Sequence, residues 1–363
     1  MYSFEPSADQ KTLVEAARKF AARELRPVMR ESDEKGDLPA RLFQSGWELG
    51  LLPASIPESY GGFGERSAVT GVLAAEELAW GDLSGALALM APNLAAFPLL
   101  LCGTLAQKAK LLPLFCSDSY TPGSAALMEP RYDFDPGALR THATLSHGEF
   151  TLDGIKCNVP FAAEAEWMLV YAAHDGQSQV FFVPRDTAGL SVKEREQNMG
   201  MKACPCYTVE FKGCRVPASH RLGEEAGCDL QLLLNSSRVA QSALALGVAR
   251  AAYEYALEYA KNRKAFGEAI AQRQSIAFML AEMITDLEGA RMMVWEAAWL
   301  LDQGRDATRE AFLARNFADD MALNVCDRAL QALGGHGYIR DYPVELWLRN
   351  ARGFAVMEGI AMV

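Results

Sequence analysis

The chain has 363 residues, half of them hydrophobic, and this length can bury the cores of two or three structural units. Its 46 acidic and 35 basic residues give a net charge of −11 at pH 7. Such a charge repels phosphate backbones and anionic lipid surfaces, so a nucleic-acid partner is not expected.

The sequence carries no signal for export or for membrane insertion. Its N-terminal stretch contains early acids and no apolar core of signal-peptide length. The most apolar run, from Ala86 to Leu101, is interrupted by prolines and falls short of a membrane span. Eight cysteines follow neither a disulfide-like pattern nor zinc-ligand spacing, so we expect free thiols and no metal site. A cytoplasmic location is therefore predicted.

Residues 1–122 are predicted to form an N-terminal helical domain. Apolar residues recur at three- and four-residue intervals before Pro27, where the first helix is expected to end. A turn-rich loop is expected between Ile56 and Gly64, and helical periodicity returns from Ser67 onward. The Pro122-Gly123 pair marks the expected end of this domain.

Residues 123–227 are predicted to form an antiparallel β domain. Short runs rich in β-branched and aromatic residues predict its strands: EFTLDGIKCNV, WMLVYAAH, QVFFVPRD and CYTVEFKGCRV. The pairs His147-Gly148 and Asp153-Gly154 are typical of tight hairpin turns, so we expect neighbouring strands to be joined at both places.

Residues 228–363 are predicted to form a C-terminal helical bundle. One apolar stripe at helical spacing runs along a long predicted helix: Ile276, Leu280, Met283, Leu287, Ala290 and Val294. Glu282 and Asp286 fall on another face of that helix. The predicted fold class is therefore a multidomain α+β protein, with helical domains on either side of the antiparallel β domain.

Several motifs occur together in one order along the chain. They are NRKAFG at 262–267, Gln274, QALGGHGYIRDYPVE at 331–345, and MEGI around Glu358. EELAWGDLSGAL, GLLPASIPESYGGFG and the MEP of ALMEPRYDFD add to them over nearly the whole length. In this order and spacing the sequence resembles the acyl-CoA dehydrogenases, a flavoprotein family. The resemblance implies a four-helix C-terminal bundle, bound FAD and a homo-oligomer, either a dimer or a tetramer.

The resemblance assigns six residues to FAD: Arg263, Phe266, Gln274, Gln331, Gly334 and Gly335. In the family these positions reach the FAD of a neighbouring subunit, which implies an obligate oligomer. The guanidinium of Arg263 suits pairing with the pyrophosphate, and Phe266 is expected to pack on the cofactor. The glutamines are expected to hydrogen-bond its phosphate, ribose or adenine portion, while the glycines leave room for close backbone approach.

Glu358 is the residue that the resemblance assigns to proton removal. The acid of this motif takes the α-proton of an acyl thioester while the β-hydrogen leaves as hydride to the flavin. Glu358 lies among apolar residues, and a poorly solvated carboxylate takes up protons more readily. The implied substrate is an acyl-CoA or a carrier-bound acyl thioester, and the implied electron acceptor is of the electron-transfer-flavoprotein type.

Two residues of an earlier helix are predicted to bind the substrate. Some relatives place the base just before an arginine that corresponds to Arg238. Here that preceding position is Ser237, so no acid competes with Glu358 for the role. Arg238 and Ser237 are expected to line the thioester pocket.

Two stretches depart from the family pattern, and both are expected to lie against the flavin ring. Met128 replaces a hydroxyl residue, and the bulky, charged run Arg131–Asp135 replaces a glycine-rich segment. Pro160 stands where the family has Thr or Ser, and proline has neither a hydroxyl nor a backbone N–H. Met128 and Pro160 are still predicted to contact the cofactor, but residue 160 donates no hydrogen bond to it.

Three interpretations follow from these departures. The chain is an active but divergent dehydrogenase in which other groups replace the missing hydrogen bonds. Alternatively, it is a subunit of a hetero-oligomer that lends Arg263 and Gln331 to the FAD of a homologous partner. In the third interpretation it is a non-catalytic acyl-thioester binder, or a flavin-dependent oxygenase built on the same scaffold. Likeness of fold alone does not choose among these.

Overall fold

The computed structural model describes residues 5–363, and its N-terminal part is helical. The helices are α1 (Ala8–Phe20), α2 (Met29–Lys35), α3 (Arg41–Trp47), α4 (Ala68–Gly81), α5 (Leu83–Met90), α6 (Asn93–Cys102) and α7 (Leu105–Leu111). A capping box starts α1, because the side chains of Ser7 and Gln10 each accept a hydrogen bond from the other's backbone N–H.

The expected helix end at Pro27 is wrong. Regular α1 ends earlier, at Phe20, and helical conformation continues through a π-helical turn (Ala21–Leu25) and a 3-10 turn (Arg26–Val28) into α2. Pro27 lies in the first turn of the 3-10 segment, directly after the π-helical turn, which is a position where proline is tolerated. The proline is therefore compatible with a new helical segment.

The apolar run between Ala86 and Leu101 lies within helices α5 and α6, most of whose side chains are buried. Among residues 5–363, no single helix is long and apolar enough to cross a membrane. Helices α5 and α6 reach the length of a membrane span only when they are taken together, and they are bent by 44° relative to each other.

The middle of the chain forms one sheet. Its strands are β1 (Ser124–Ala126), β2 (His142–Ser146), β3 (Glu149–Pro160), β4 (Trp167–His174), β5 (Gln177–Pro184), β6 (Leu190–Arg195) and β7 (Cys206–Pro217). The strand order is β1-β4-β2-β3-β7-β6, and β5 also pairs with β4. Most pairs are antiparallel, but β4 pairs in parallel with β1 and β2, because long connections let the chain cross over between them.

One of the two expected hairpin turns is confirmed and the other is wrong. His147 and Gly148 join β2 to β3, and both have the positive φ of a tight hairpin turn. Asp153-Gly154 lies inside β3, where the pairing with β7 shifts register. A Cβ on Gly154 would lie 2.5 Å from the hydroxyl oxygen of Thr141, so the glycine permits a β-bulge at a close backbone approach.

The C-terminal part is a bundle of α8 (Leu230–Asn262), α9 (Gln274–Asp302), α10 (Thr308–Leu333) and α12 (Val344–Phe354), with the short α11 (Gly335–Tyr338) between the last two. A small hairpin of β8 (Lys264–Ala265) and β9 (Glu268–Ala269) joins α8 to α9. The predicted stripe of α9 is buried from Leu280 to Val294, and Ile276 is partly buried. The predicted fold class is confirmed, with the two parallel strand pairs as its one departure.

The N-terminal and C-terminal helices share one hydrophobic core. Leu78 of α4 and Leu244 of α8 are fully buried in the same apolar cluster. Beside it, Arg250 of α8 pairs with Glu76 and Glu77 of α4 at N···O distances of 2.8 and 2.6 Å. Since α8 also packs on α9, α10 and α12, this helix connects both helical parts of the molecule.

Candidate active site

Glu358 lies in the irregular segment that follows α12. Its neighbours Met357 and Gly359 are buried, and its side chain is 24% exposed, so the carboxylate does not point into bulk water. The Nε atom of Arg238, on α8, lies 3.1 Å from one carboxylate oxygen. The apolar enclosure expected from the sequence is therefore only partial, because the fold brings a cation 120 residues away in the chain to this acid.

Two buried side chains hold the backbone on either side of Glu358. The amide of Gln241 donates to the Met357 carbonyl at 2.8 Å and accepts from the Gly359 N–H at 3.1 Å. Arg315 of α10 donates to the same Met357 carbonyl at 3.0 Å. Sequence reasoning missed both residues. The available signal was a polar residue, Gln241, within a largely apolar stretch of helix.

Ser237 is buried, and its hydroxyl donates to the side-chain oxygen of Gln241 at 3.1 Å. The structure thus gives this hydroxyl a partner within the protein. Its predicted role in substrate binding stays a prediction, as does that of Arg238, whose guanidinium is half-buried beside Glu358 and above the ring of Phe312.

A second acid–arginine pair lies next to the first. Arg315 and Asp319 approach to 2.9 Å on the inward face of α10. Burial raises the pKa of Asp319 to about 7; Arg315 acts in the opposite direction, and the charge of Glu358 raises the pKa further. Two carboxylates and two guanidinium groups are therefore electrostatically coupled here.

Met128 contacts the same segment from the β domain. The backbone N–H of Glu358 points at the Met128 sulfur, 3.1 Å away, and the side-chain amide of Asn158 lies 4.0 Å from that sulfur. Met128 and Glu358, both predicted site residues, are thus brought together. Pro160 is buried at the end of β3, where its carbonyl accepts a hydrogen bond from Ser124 at 2.7 Å.

A buried ion pair supports the loop that carries Met128. Glu129 accepts from Lys156 at 3.1 Å and from the backbone N–H groups of Arg140 and Thr141. Although burial opposes ionisation, Lys156 and these amides lower the pKa of Glu129 to about 2. Burial lowers the pKa of Lys156 to about 8 against the opposing effect of Glu129.

The run Arg131–Asp135 does not present all of its bulk and charge to this site. The Arg131 side chain folds back onto Glu129 at 3.1 Å and donates to the Asp133 carbonyl at 2.8 Å. Tyr132 is fully exposed. The loop therefore neutralises its arginine internally.

A concave site lies at the opposite end of α8 from Arg238. It is an open cavity of about 600 Å³, and its lining includes five of the six residues predicted to contact FAD: Arg263, Phe266, Gln331, Gly334 and Gly335. The sixth, Gln274, is exposed at the start of α9 between two lining residues, Arg273 and Ser275.

The lining of this cavity fits a dinucleotide. Phe266 is 94% exposed and has φ +53°, a backbone conformation that is uncommon for an aromatic residue. Gly334 has φ +58°, and a Cβ on Gly334 or Gly335 would meet nothing within 4 Å, so a ligand can approach this backbone. Arg263 and Arg273 supply two guanidinium groups, which suit a pyrophosphate.

The two sites lie at opposite ends of α8. Arg238 and Arg263 are 25 residues apart along this helix, a distance of about 38 Å at 1.5 Å per residue. This separation fits the expected sharing of FAD between subunits.

Models of three acyl-CoA dehydrogenase domains match the chain: the N-terminal domain over residues 7–119, the middle domain over 124–214 and the C-terminal domain over 229–362. The probable acyl-CoA dehydrogenase YngJ of Bacillus subtilis is 36% identical, over 99% of this chain and 97% of its own. Subunit CarC of the caffeyl-CoA reductase-Etf complex of Acetobacterium woodii is 33% identical, over 98% and 96%. The solved structure of butyryl-CoA dehydrogenase from Megasphaera elsdenii has a TM-score of 0.91 at 32% identity, covering 99% of this chain and 96% of that one.

A helical domain, a β domain and a helical bundle, each matched by its own model, define a flavoprotein oxidoreductase architecture. The chain belongs to the acyl-CoA dehydrogenase family. The resemblance noted in the sequence is therefore confirmed. The roles of individual residues toward FAD and substrate remain predictions.

Proposed function

We propose that the protein is an FAD-dependent α,β-dehydrogenase of acyl thioesters, in which Glu358 removes the α-proton. The observation that carries this proposal is a half-buried carboxylate, fixed through its backbone at three points and facing Arg238. A general base must be held within hydrogen-bond reach of the proton that it removes, and such anchoring provides this precision.

Arg238 holds the carboxylate of Glu358 in place, because its Nε–H donates a hydrogen bond to one carboxylate oxygen at 3.1 Å. A carboxylate that removes a proton must be positioned before the substrate arrives. An acyl thioester bound beside Glu358 would exclude water from this pair. FAD, when bound, would supply the acceptor for the β-hydrogen and its electron pair.

The residues around the distant cavity would hold the nucleotide part of FAD from a neighbouring subunit. Arg263 and Arg273 would face the pyrophosphate, Phe266 would stack, and Gly334 would allow close backbone approach. This arrangement requires at least a dimer. The Acetobacterium woodii relative is a subunit of a caffeyl-CoA reductase-Etf complex, and we propose an electron acceptor of the electron-transfer-flavoprotein type here.

Pro160 favours a second candidate function. This residue lacks a backbone N–H and donates no hydrogen bond to a flavin ring, although such bonds tune flavin chemistry. In this candidate the chain is a subunit of a hetero-oligomer, impaired at its own ring site, that lends Arg263 and Gln331 to a homologous partner's FAD.

Visible spectroscopy and anaerobic reduction test the proposal. We expect yellow protein with about one FAD per subunit, bleached anaerobically by members of a panel from butyryl-CoA to palmitoyl-CoA. Glu358→Gln should keep FAD and lose bleaching, because the amide cannot take up the α-proton. Glu48→Gln, at an exposed site next to α3, is the matched control and should behave as the wild type.

Each alternative gives a different result. Yellow colour that appears only on co-expression with a homologous subunit supports the hetero-oligomer. Colourless protein that binds acyl-CoA supports a binding role. Yellow protein that no acyl-CoA bleaches favours an oxygenase. Bleaching retained in Glu358→Gln would refute the assignment of the base.

A further inference from the structure

Gln241 is a fully buried polar side chain that the proposed chemistry does not itself use. It lies on α8 within VAQSALALGVA, where its neighbours are small or apolar. Burying an amide costs free energy unless its donors and acceptors find partners. The reason for placing a glutamine here must therefore be found in the partners that it binds.

Those partners lie on both sides of Glu358. The Gln241 NH₂ group donates to the Met357 carbonyl at 2.8 Å, and the Gln241 oxygen accepts from the Gly359 N–H at 3.1 Å. The hydroxyl of Ser237 donates to that same oxygen at 3.1 Å. These three bonds are compatible with only one orientation of the amide, because carbonyls accept and N–H and O–H groups donate.

The segment held by Gln241 has little other support from backbone hydrogen bonds. Residues 357–363 form neither helix nor strand, and the Met357 N–H to the Phe354 carbonyl is the last bond of the helical turn before them. Gly359 adopts φ +74°, and a Cβ there would lie 2.6 Å from the Leu127 side chain. The path of the chain around Glu358 therefore depends on side-chain anchors, which come from Met128, α8 and α10. Further along, Asn93 and Arg66 donate to the carbonyls of residues 362 and 363.

We propose that Gln241 is a positioning residue for the base: its amide fixes the peptide groups before and after Glu358 and so aims the carboxylate. This inference rests on the proposed function. Gln241 acts through the backbone of Met357 and Gly359, and its side chain makes no hydrogen bond to the carboxylate. Arg315 provides a second anchor at Met357 but none at Gly359. Of these two residues, only Gln241 holds the backbone on both sides of the base.

The test substitutes Gln241→Met in the FAD-loaded enzyme. Methionine keeps the length of the side chain and removes the hydrogen bonds to the Met357 carbonyl and the Gly359 N–H. Single-turnover reduction is followed with the acyl-CoA of the butyryl-to-palmitoyl panel that reduces the wild type fastest. We expect the limiting rate to fall about 10- to 100-fold, since an error of about 1 Å in placement costs roughly this much. The half-saturating concentration should change by less than about threefold.

Gln107→Met is the matched control. Gln107 is also a buried glutamine that clamps backbone, since it donates to the Ser219 and Arg221 carbonyls and accepts from the Gly223 N–H, but it contacts nothing near Glu358. Its loss should lower the melting temperature without slowing reduction. Hydrogen exchange of residues 355–363, measured by mass spectrometry, should accelerate in Gln241→Met and stay unchanged in Gln107→Met.

The outcomes separate this inference from the proposed function. If no acyl-CoA reduces the wild type, the proposed function fails and the positioning role fails with it. If the wild type and Gln241→Met are reduced at equal limiting rates, only the positioning role is overturned. Equal slowing in Gln241→Met and Gln107→Met would likewise overturn it, because the effect would then be general destabilisation.

Discussion

At the scale of single residues, the neighbourhood of Glu358 is set by charges that are distant in sequence. Glu358 and Arg238 are each marked by a motif, but their pairing joins residues 120 positions apart and has no local signal. Arg315 and Asp319, one helical turn apart on α10, carry no motif and add a second pair beside the first. Residue types at motif positions were therefore predictable, whereas their partners required the fold.

Asp319 gives the first prediction, which concerns pH. Its pKa is raised from 3.8 to about 7, so its contribution to stability is full below about pH 4 and is lost as the pH rises through about 7. Asp319→Asn removes this titration. Between pH 4.5 and 7.5 we expect the wild type to lose roughly 1–3 kcal/mol more unfolding free energy than Asp319→Asn does.

Urea unfolding at intervals across this pH range measures the difference. The slope with pH is the quantity to compare, because the asparagine also leaves the buried Arg315 without its carboxylate partner and shifts the absolute stability. Asp327→Asn, at an exposed position further along α10, is the control and should keep the wild-type slope. Parallel pH profiles for Asp319→Asn and the wild type would contradict the assignment.

At the scale of elements, local sequence patterns located most of the strands but not how they pair. The runs around β3, β4, β5 and β7 were predicted from their composition. Gly154 was misread as a turn, because a glycine required by a bulge against β7 looks the same in sequence as one in a hairpin. Pro27 was misread as a helix end for a similar reason, since a proline at the start of a new helical segment gives the same signal.

The ion pair of Glu129 and Lys156 gives a prediction at this scale, because it ties the loop after β1 to β3. Glu129→Gln leaves the fully buried Lys156 ammonium without a compensating negative charge, so we expect a loss of about 3–5 kcal/mol of unfolding free energy. Lys156→Met should cost less, roughly 1–3 kcal/mol, because Arg131 and two backbone amides still satisfy Glu129.

A double-mutant cycle checks this prediction. The double variant Glu129→Gln, Lys156→Met should be more stable than the sum of the single losses predicts, since neither charge is left buried alone. Lys193→Met removes an exposed pair with Glu210, at 2.7 Å, and should cost no more than about 1 kcal/mol. Strict additivity of the two single substitutions would show that the buried pair is not coupled.

At the scale of the whole molecule, helix α8 separates the two parts of the chemistry. Arg238 near its start faces Glu358, the proposed base, and Arg263 at its end lines the second cavity, about 38 Å away along the helix axis. The motifs indicated both groups of residues, but their separation within one subunit became visible only through the length of α8. The proposed function accordingly predicts that a second subunit completes each site.

Subunit mixing tests this division directly. Glu358→Gln should inactivate the site to which its own subunit contributes the base, and Arg263→Glu should weaken FAD binding at the neighbouring site by repelling the pyrophosphate. Either variant alone is then expected to show little acyl-CoA-dependent bleaching. Co-expressed, each mixed dimer gains one intact site, made from Glu358 of one subunit and Arg263 of the other.

Random mixing should restore about one quarter of the wild-type sites, because half of the dimers are mixed and each holds one intact site of two. Differently tagged subunits, purified in sequence, isolate the mixed dimers, and their bleaching amplitude and FAD content should both approach one site per dimer. If Arg263 served the same site as Glu358 of its own subunit, every site in a mixed dimer would carry one substitution and no bleaching would return. Recovery therefore depends on one geometric fact, the length of α8 between the two arginines.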